Sequence, residues 1–141
     1  MGKDKNNKLR QELLALADLG RESVVVPEWG GRSFDVQALS LADASAVHAA
    51  LREFRDEKSG ELPRGFWAAA WVAATLHEPD GGLVFSLDDI PALAGKSAAA
   101  LERIYAVADR LNLLSGEARH AEKQNFTATA TPSSSTGSPA N

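Results

Sequence analysis

Three histidines and one acidic, glycine-containing turn are the residues of this 141-residue chain whose types could bind a metal. His48, His77 and His120 lie far apart, and none has a second histidine or paired carboxylates at the i, i+4 spacing with which a helix holds zinc. We interpret His48 as a helix-surface or boundary residue and His77 as part of a polar turn. The histidines therefore predict no metal centre.

The turn at residues 79–82 (PDGG) has the composition of a calcium-binding loop, which places glycine sixth and glutamate twelfth. With Gly81 in the sixth position, the twelfth is Leu87. With Gly82 in the sixth position, the third is Pro79, which has no side-chain oxygen. Because neither register supplies the required carboxylates, we expect an ordinary turn here.

Patterns for catalysis and cofactor binding are also absent from the sequence. The chain has no cysteine, no Gly-x-Ser-x-Gly nucleophile motif and neither glycine-rich phosphate-binding fingerprint. The pair Asp88-Asp89 stands at the start of a predicted helix, where negative charge is favoured by the helix dipole. We therefore predict a protein that is not an enzyme and that needs no metal and no cofactor.

The net charge and the length of the apolar stretches indicate which classes of partner to expect. The formal net charge is −4 and the pI is near 5.3, whereas a nucleic-acid-binding domain normally carries a basic surface. The longest apolar stretch, residues 66–76, is eleven residues long, and a bilayer crossing needs about 20. The opening MGKDKNNKLR has no apolar segment behind it, so it does not resemble a signal peptide. We expect a cytoplasmic protein that binds neither nucleic acid nor membranes.

Hydrophobic spacing predicts a mainly α fold with a small β-hairpin, an α+β domain. The hairpin is expected at residues 24–36, where β-branched and alternating residues flank Gly30-Gly31, a pair that permits the positive φ angles of a tight connection. The apolar stretch 66–76 is hydrophobic nearly all round, which indicates a buried central helix. The other helices are predicted at 9–19, after the cap Ser40, at 88–94 and after the cap Ser97.

The predicted elements divide the chain into three segments. Residues 1–7 are predicted to be a flexible N-terminal end, and residues 8–125 a single helical domain. Residues 126–141 contain no charge and are rich in Ser, Thr and Pro, which predicts a disordered tail.

Aromatic residues are the leading candidates for contact with another protein. They are Trp29 at the predicted hairpin tip, Phe34 on its second strand, and Trp67 and Trp71, which lie four residues apart on one helical face. Packing of Trp29 against the sheet, and of Trp67 and Trp71 in the core, is the alternative to a contact role.

Five blocks of sequence, in order and at fitting spacing, resemble the tail assembly chaperones of long-tailed (siphovirus-type) bacteriophages. The blocks are residues 24–32 (VVVPEWGGR), 79–89 (PDGGLVFSLDD), 93–104 (LAGKSAAALERI), 110–114 (RLNLL) and 121–125 (AEKQN). Two positions depart from the family pattern: the turn has Glu78-Pro79-Asp80 where two acids usually precede the glycine, and Leu113 replaces a usual glycine.

The resemblance implies a small, helical, non-catalytic protein of the host cytoplasm that is absent from the mature virion. Such chaperones bind the tape-measure protein and help to recruit tail-tube subunits, so both are expected partners, with self-association a further possibility. A phage or bacterial interaction adaptor without chaperone activity is the alternative, and an enzyme whose site the sequence hides is a third hypothesis.

Overall fold

The computed structural model describes the backbone of residues 2–114 and the side chains of residues 7–114. Its helices and strands are α1 (Gly2–Ala15), β1 (Arg21–Val26), β2 (Arg32–Gln37), α2 (Leu41–Phe54), α3 (Phe66–Thr75), β3 (Leu76–His77), α4 (Ile90–Ala94) and α5 (Ala98–Asn112). The predicted mainly α domain with one hairpin is confirmed. The predicted tail at 126–141 lies outside the described residues. No helix within residues 2–114 has the length and apolar character needed to cross a bilayer.

The sheet is antiparallel, with β2 in the centre, and β1 and β2 form the predicted hairpin. Gly30 and Gly31 have φ angles of 77° and 72°, and the Gly31 N–H closes the connection by donating to the Val26 carbonyl at 3.1 Å. These are the positive φ angles that the sequence analysis assigned to the glycine pair, and glycine adopts them without a side-chain clash.

The third strand was not predicted. The helix expected over residues 66–76 ends at Thr75, and Leu76 turns into β3 to pair with Val36 of β2. The Thr75 hydroxyl donates to the Trp71 carbonyl at 2.6 Å, where the helix ends. Leu76 is fully buried, because pairing with β2 carries it into the same core as the helix.

Helix α3 lies at the centre of the core, as predicted. It contacts α2, α4 and α5, and its last seven residues contain six buried ones: Ala69, Ala70, Trp71, Val72, Ala73 and Thr75. Helix α5 contacts α3 and both strands of the hairpin, and its residues Ile104 and Ala108 are fully buried. The serine caps predicted for α2 and α5 are present: Ser40 accepts from the Asp43 N–H and Ser97 from the Ala100 N–H, both at 3.2 Å.

Helix α1 lies outside this core, and every residue described from Asn7 to Gly20 is exposed. The helix begins at Gly2, inside the segment 1–7 that is predicted to be a flexible end. No glycine or proline interrupts the chain between Lys3 and Leu19, which allows the helix to extend toward the N-terminus.

The last helix ends on a leucine in a left-handed conformation. Leu113 has φ 55° and ψ 46° and is 84% exposed, and its N–H donates to the Asp109 carbonyl. This is the usual conformation of glycine after a helix, and it costs other residues about 1–2 kcal/mol. The departure from the family pattern at this position therefore places a strained residue at the helix end.

We expect Leu113→Gly to stabilise the protein by about 0.5–1 kcal/mol, since the relief of strain exceeds the entropy that glycine gains in the unfolded chain. The measurement is the urea midpoint at constant m-value. Leu41→Gly is the matched control, because Leu41 is equally exposed (85%) but lies in the first turn of α2 and should lose up to about 1 kcal/mol. A midpoint lowered by both changes would contradict the assignment of strain to Leu113.

Candidate protein-interaction surface

The acidic turn at residues 79–82 is tied to the sheet by an arginine. The Arg21 guanidinium donates to Asp35 Oδ2 at 2.9 Å, to Gln37 Oε1 at 2.7 Å, and to the carbonyls of Glu78 and Gly81 at 3.0 and 3.1 Å. The carbonyl of Gly81 in the turn, and that of Glu78 just before it, therefore accept from a cation on the protein itself. Within residues 7–114, no group of three His, Asp or Glu side chains is arranged to hold a metal ion.

The carboxyl groups with shifted pKa values have structural partners. Hydrogen bonds from the Arg21 side chain lower the pKa of Asp35, and those from Arg103 lower the pKa of Glu28. The pKa of Asp56 is lowered because its carboxylate accepts from the backbone N–H groups of Ser59 and Lys58. Each shift favours the charged form and is explained by a contact that holds the fold together.

Trp29, at the hairpin tip, packs back onto the domain. Its ring meets Phe34 edge-on at a centroid distance of 6.0 Å and Phe85 at 6.2 Å, and all three residues are half-buried. The neighbouring Glu28 accepts from Arg103 of α5 at 3.0 and 3.1 Å, which pins the tip to that helix. Trp29 and Phe34 thus have a packing role, and the part of each that remains exposed is available to a partner.

Trp67 and Trp71 belong to one aromatic cluster between α2 and α3. Their ring centroids are 5.7 Å apart, and the His48 ring lies 6.0 Å from Trp67 and 5.4 Å from Trp71. Trp67 is half-buried and donates its indole N–H to the Tyr105 hydroxyl at 2.8 Å. Trp71 is only 1% exposed, so it stabilises the core and offers no surface to a partner in this conformation.

A group of exposed leucines lies on α1 and in the segment after it, where the spacing predicts only an amphipathic helix. They are Leu9, Leu13, Leu14, Leu16 and Leu19, with exposures between 42% and 71%. The helical spacing of three of them was visible in the sequence, but spacing does not reveal whether a stripe is covered by the rest of the domain. The candidate surface therefore consists of the half-buried aromatic residues and the uncovered leucines of α1.

These features define a class: a helical domain that carries a three-stranded antiparallel sheet and an exposed amphipathic helix at its N-terminal end. No protein-family model matches the chain, and no curated protein matches it. Among solved structures, it is similar to the tail assembly chaperone of bacteriophage HK97, with a TM-score of 0.53 and 20% sequence identity. The match covers 75% of this chain and 94% of the HK97 chain. This chain therefore shares the fold of the HK97 chaperone, in agreement with the resemblance seen in the sequence.

Proposed function

We propose that this protein is a non-enzymatic tail assembly chaperone of a long-tailed phage. It binds the tape-measure protein and helps to recruit tail-tube subunits to it, in the host cytoplasm, and it is not retained in the mature virion. The observation that carries the proposal is the fold shared with the HK97 chaperone over most of both chains, joined to the blocks of sequence resemblance.

The exposed apolar side chains support a role in binding a partner. A tape-measure protein is a long helix whose apolar surface is uncovered before tube subunits surround it, so its chaperone needs apolar surface of its own. Among the described residues, five of the ten large exposed hydrophobics lie at positions 9–19, on α1 and in the segment after it. The chain as a whole is acidic, which favours solubility of a complex.

The test is co-expression with the tape-measure protein of the phage or prophage that carries the gene. We expect the tape-measure protein to move from the insoluble to the soluble fraction and to co-purify with this chain. An unrelated acidic protein of the same size is the control for a general effect of expression load. A tape-measure protein that stays insoluble, together with no binding to it or to the tube subunit, would refute the proposal and leave the adaptor hypothesis.

The contact should be mainly apolar. We expect the amount of tape-measure protein captured to fall by no more than about threefold between 0.1 and 0.5 M NaCl, since exposed ion pairs contribute little and are screened over about 10 Å at 0.1 M. Capture that disappears at 0.5 M would show that charge, and not apolar burial, holds the complex.

A further inference from the structure

Helix α1 carries an apolar stripe that the described part of the domain leaves uncovered. Leu9 and Leu13 are four residues apart on α1, and Leu16 follows at helical spacing just beyond the helix end, where its N–H donates to the Leu13 carbonyl. Their exposures are 54%, 56% and 61%. Apolar residues at the same spacing on α5 are buried, and α5 contacts the hairpin. Within the described residues, no element covers the leucines of α1 to a similar extent.

Charge distinguishes α1 from the rest of the chain. Its 14 residues contain four basic side chains and two acidic ones, whereas the whole chain is acidic with a net charge of −4. Lys8, Arg10 and Glu12 lie beside the leucines and are exposed. A helix with an apolar stripe and a net positive charge is complementary to one with an apolar stripe and a net negative charge.

A second copy of α1 is a poorer fit to this stripe. Two α1 helices side by side would bring together two net charges of +2, and like charges at flanking positions oppose pairing. Outside α1, the large exposed hydrophobics of residues 19–114 are scattered over turns, a strand and helix ends, and they form no stripe of matching spacing: Leu19, Val25, Leu41, Leu83, Val84 and Leu113.

We propose that α1 is a docking helix whose leucine stripe pairs with the apolar stripe of an acidic amphipathic helix in the client protein. The inference rests on the proposed function for the identity of the client, but the chemistry of the contact follows from α1 alone. Burial of Leu9, Leu13 and Leu16 supplies the affinity, and the basic residues select a partner of negative charge.

A designed peptide tests this chemistry directly. The probe is a labelled 28-residue helix with Ile and Leu at its a and d positions and Glu at e and g, and its counterpart has Lys at e and g. By fluorescence anisotropy with the full chain at 50 mM NaCl, we expect the acidic peptide to bind at least about tenfold more tightly than the basic one, with a smaller difference at 0.5 M.

The matched variants are Leu13→Gln and Leu14→Gln. Leu14 is the more exposed of the two leucines (71%) but lies about 100° round the helix from Leu13, outside the stripe. Glutamine has nearly the same helix propensity as leucine, so circular dichroism should be unchanged in both variants. We expect Leu13→Gln to weaken binding of the acidic peptide at least about tenfold, and Leu14→Gln to change it by less than about twofold.

The inference is overturned if the acidic peptide does not bind, if the basic peptide binds equally well, or if both leucine variants lose binding equally. A wild-type dimer in sedimentation that Leu13→Gln converts to monomer would also overturn it, because a second copy would then occupy the stripe.

The two proposals fail separately. If the wild-type chain solubilises the tape-measure protein and Leu13→Gln does so equally well, the chaperone function stands and the docking role of α1 is wrong. If the acidic peptide binds through Leu13 but the tape-measure protein is not captured, the docking helix stands and the client has been misassigned.

Discussion

Trp71→Ala is expected to lower the free energy of unfolding by about 3–5 kcal/mol, the range for removing a fully buried tryptophan. The ring lies between α2 and α3, 1% exposed, with His48 and Trp67 against it at centroid distances of 5.4 and 5.7 Å. Its removal loses the transfer free energy of the indole and leaves a cavity that the packed helices around it do not close. Urea unfolding followed by far-UV circular dichroism measures the change.

Two further variants test whether the loss of stability is specific to the buried ring of Trp71. Trp71→Phe should cost only about 1–2 kcal/mol, because the Trp71 indole N–H is buried without an acceptor among the described residues and its removal offsets part of the lost volume. Trp67→Ala should cost less than Trp71→Ala, since Trp67 is half-buried, although it loses the hydrogen bond to Tyr105. A Trp71→Ala midpoint within error of wild type would show that the ring is not part of the core.

Ala70→Leu is expected to destabilise the domain by about 1–3 kcal/mol through overpacking. Ala70 is fully buried on α3, whose contacts with α4 and α5 are the most extensive that it makes. The methyl side chain lets the helices pack closely, and a leucine at this position must displace backbone or force a strained rotamer.

Ala68→Leu is the control for this change, since Ala68 lies on the same helix and is only half-buried. It should cost less than about 1 kcal/mol, because the larger side chain can turn toward solvent. Both variants are compared by thermal and urea unfolding. Equal effects would mean that helix propensity, and not packing, governs substitutions on α3.

Local patterns were sufficient wherever the cause of a structure lies within a few residues. The hairpin connection depends on positive φ at two adjacent positions, which Gly30-Gly31 supplies directly. The starts of α2 and α5 depend on a serine hydroxyl and an N–H three residues later, and both hydrogen bonds are present. Ser86 and Asp89 likewise form the reciprocal capping pair that precedes α4.

The candidate site was less accessible from the sequence. Trp29, Phe34, Trp67 and Trp71 were chosen because tryptophan and phenylalanine are frequent in interfaces, yet the structure places Trp71 wholly in the core and the other three partly in it. Aromatic content alone does not distinguish a core residue from a contact residue, since both roles use the same large apolar surface. The spacing of the leucines of α1 predicts a helical stripe but not its exposure.

What the sequence by itself determined is the set of local structures: a buried central helix within residues 66–76, the β-hairpin, the serine caps, and the absence of thiol chemistry. Three features were decided only by the tertiary structure. Helix α3 ends at Thr75 because Leu76 pairs with Val36, the backbone at Leu113 is left-handed, and the leucine stripe of α1 is exposed. The physical reason is that the spacing of apolar residues shows only which side chains share one face of a helix or strand. Whether that face is buried depends on elements distant in the chain, which either pack against it or leave it to a partner.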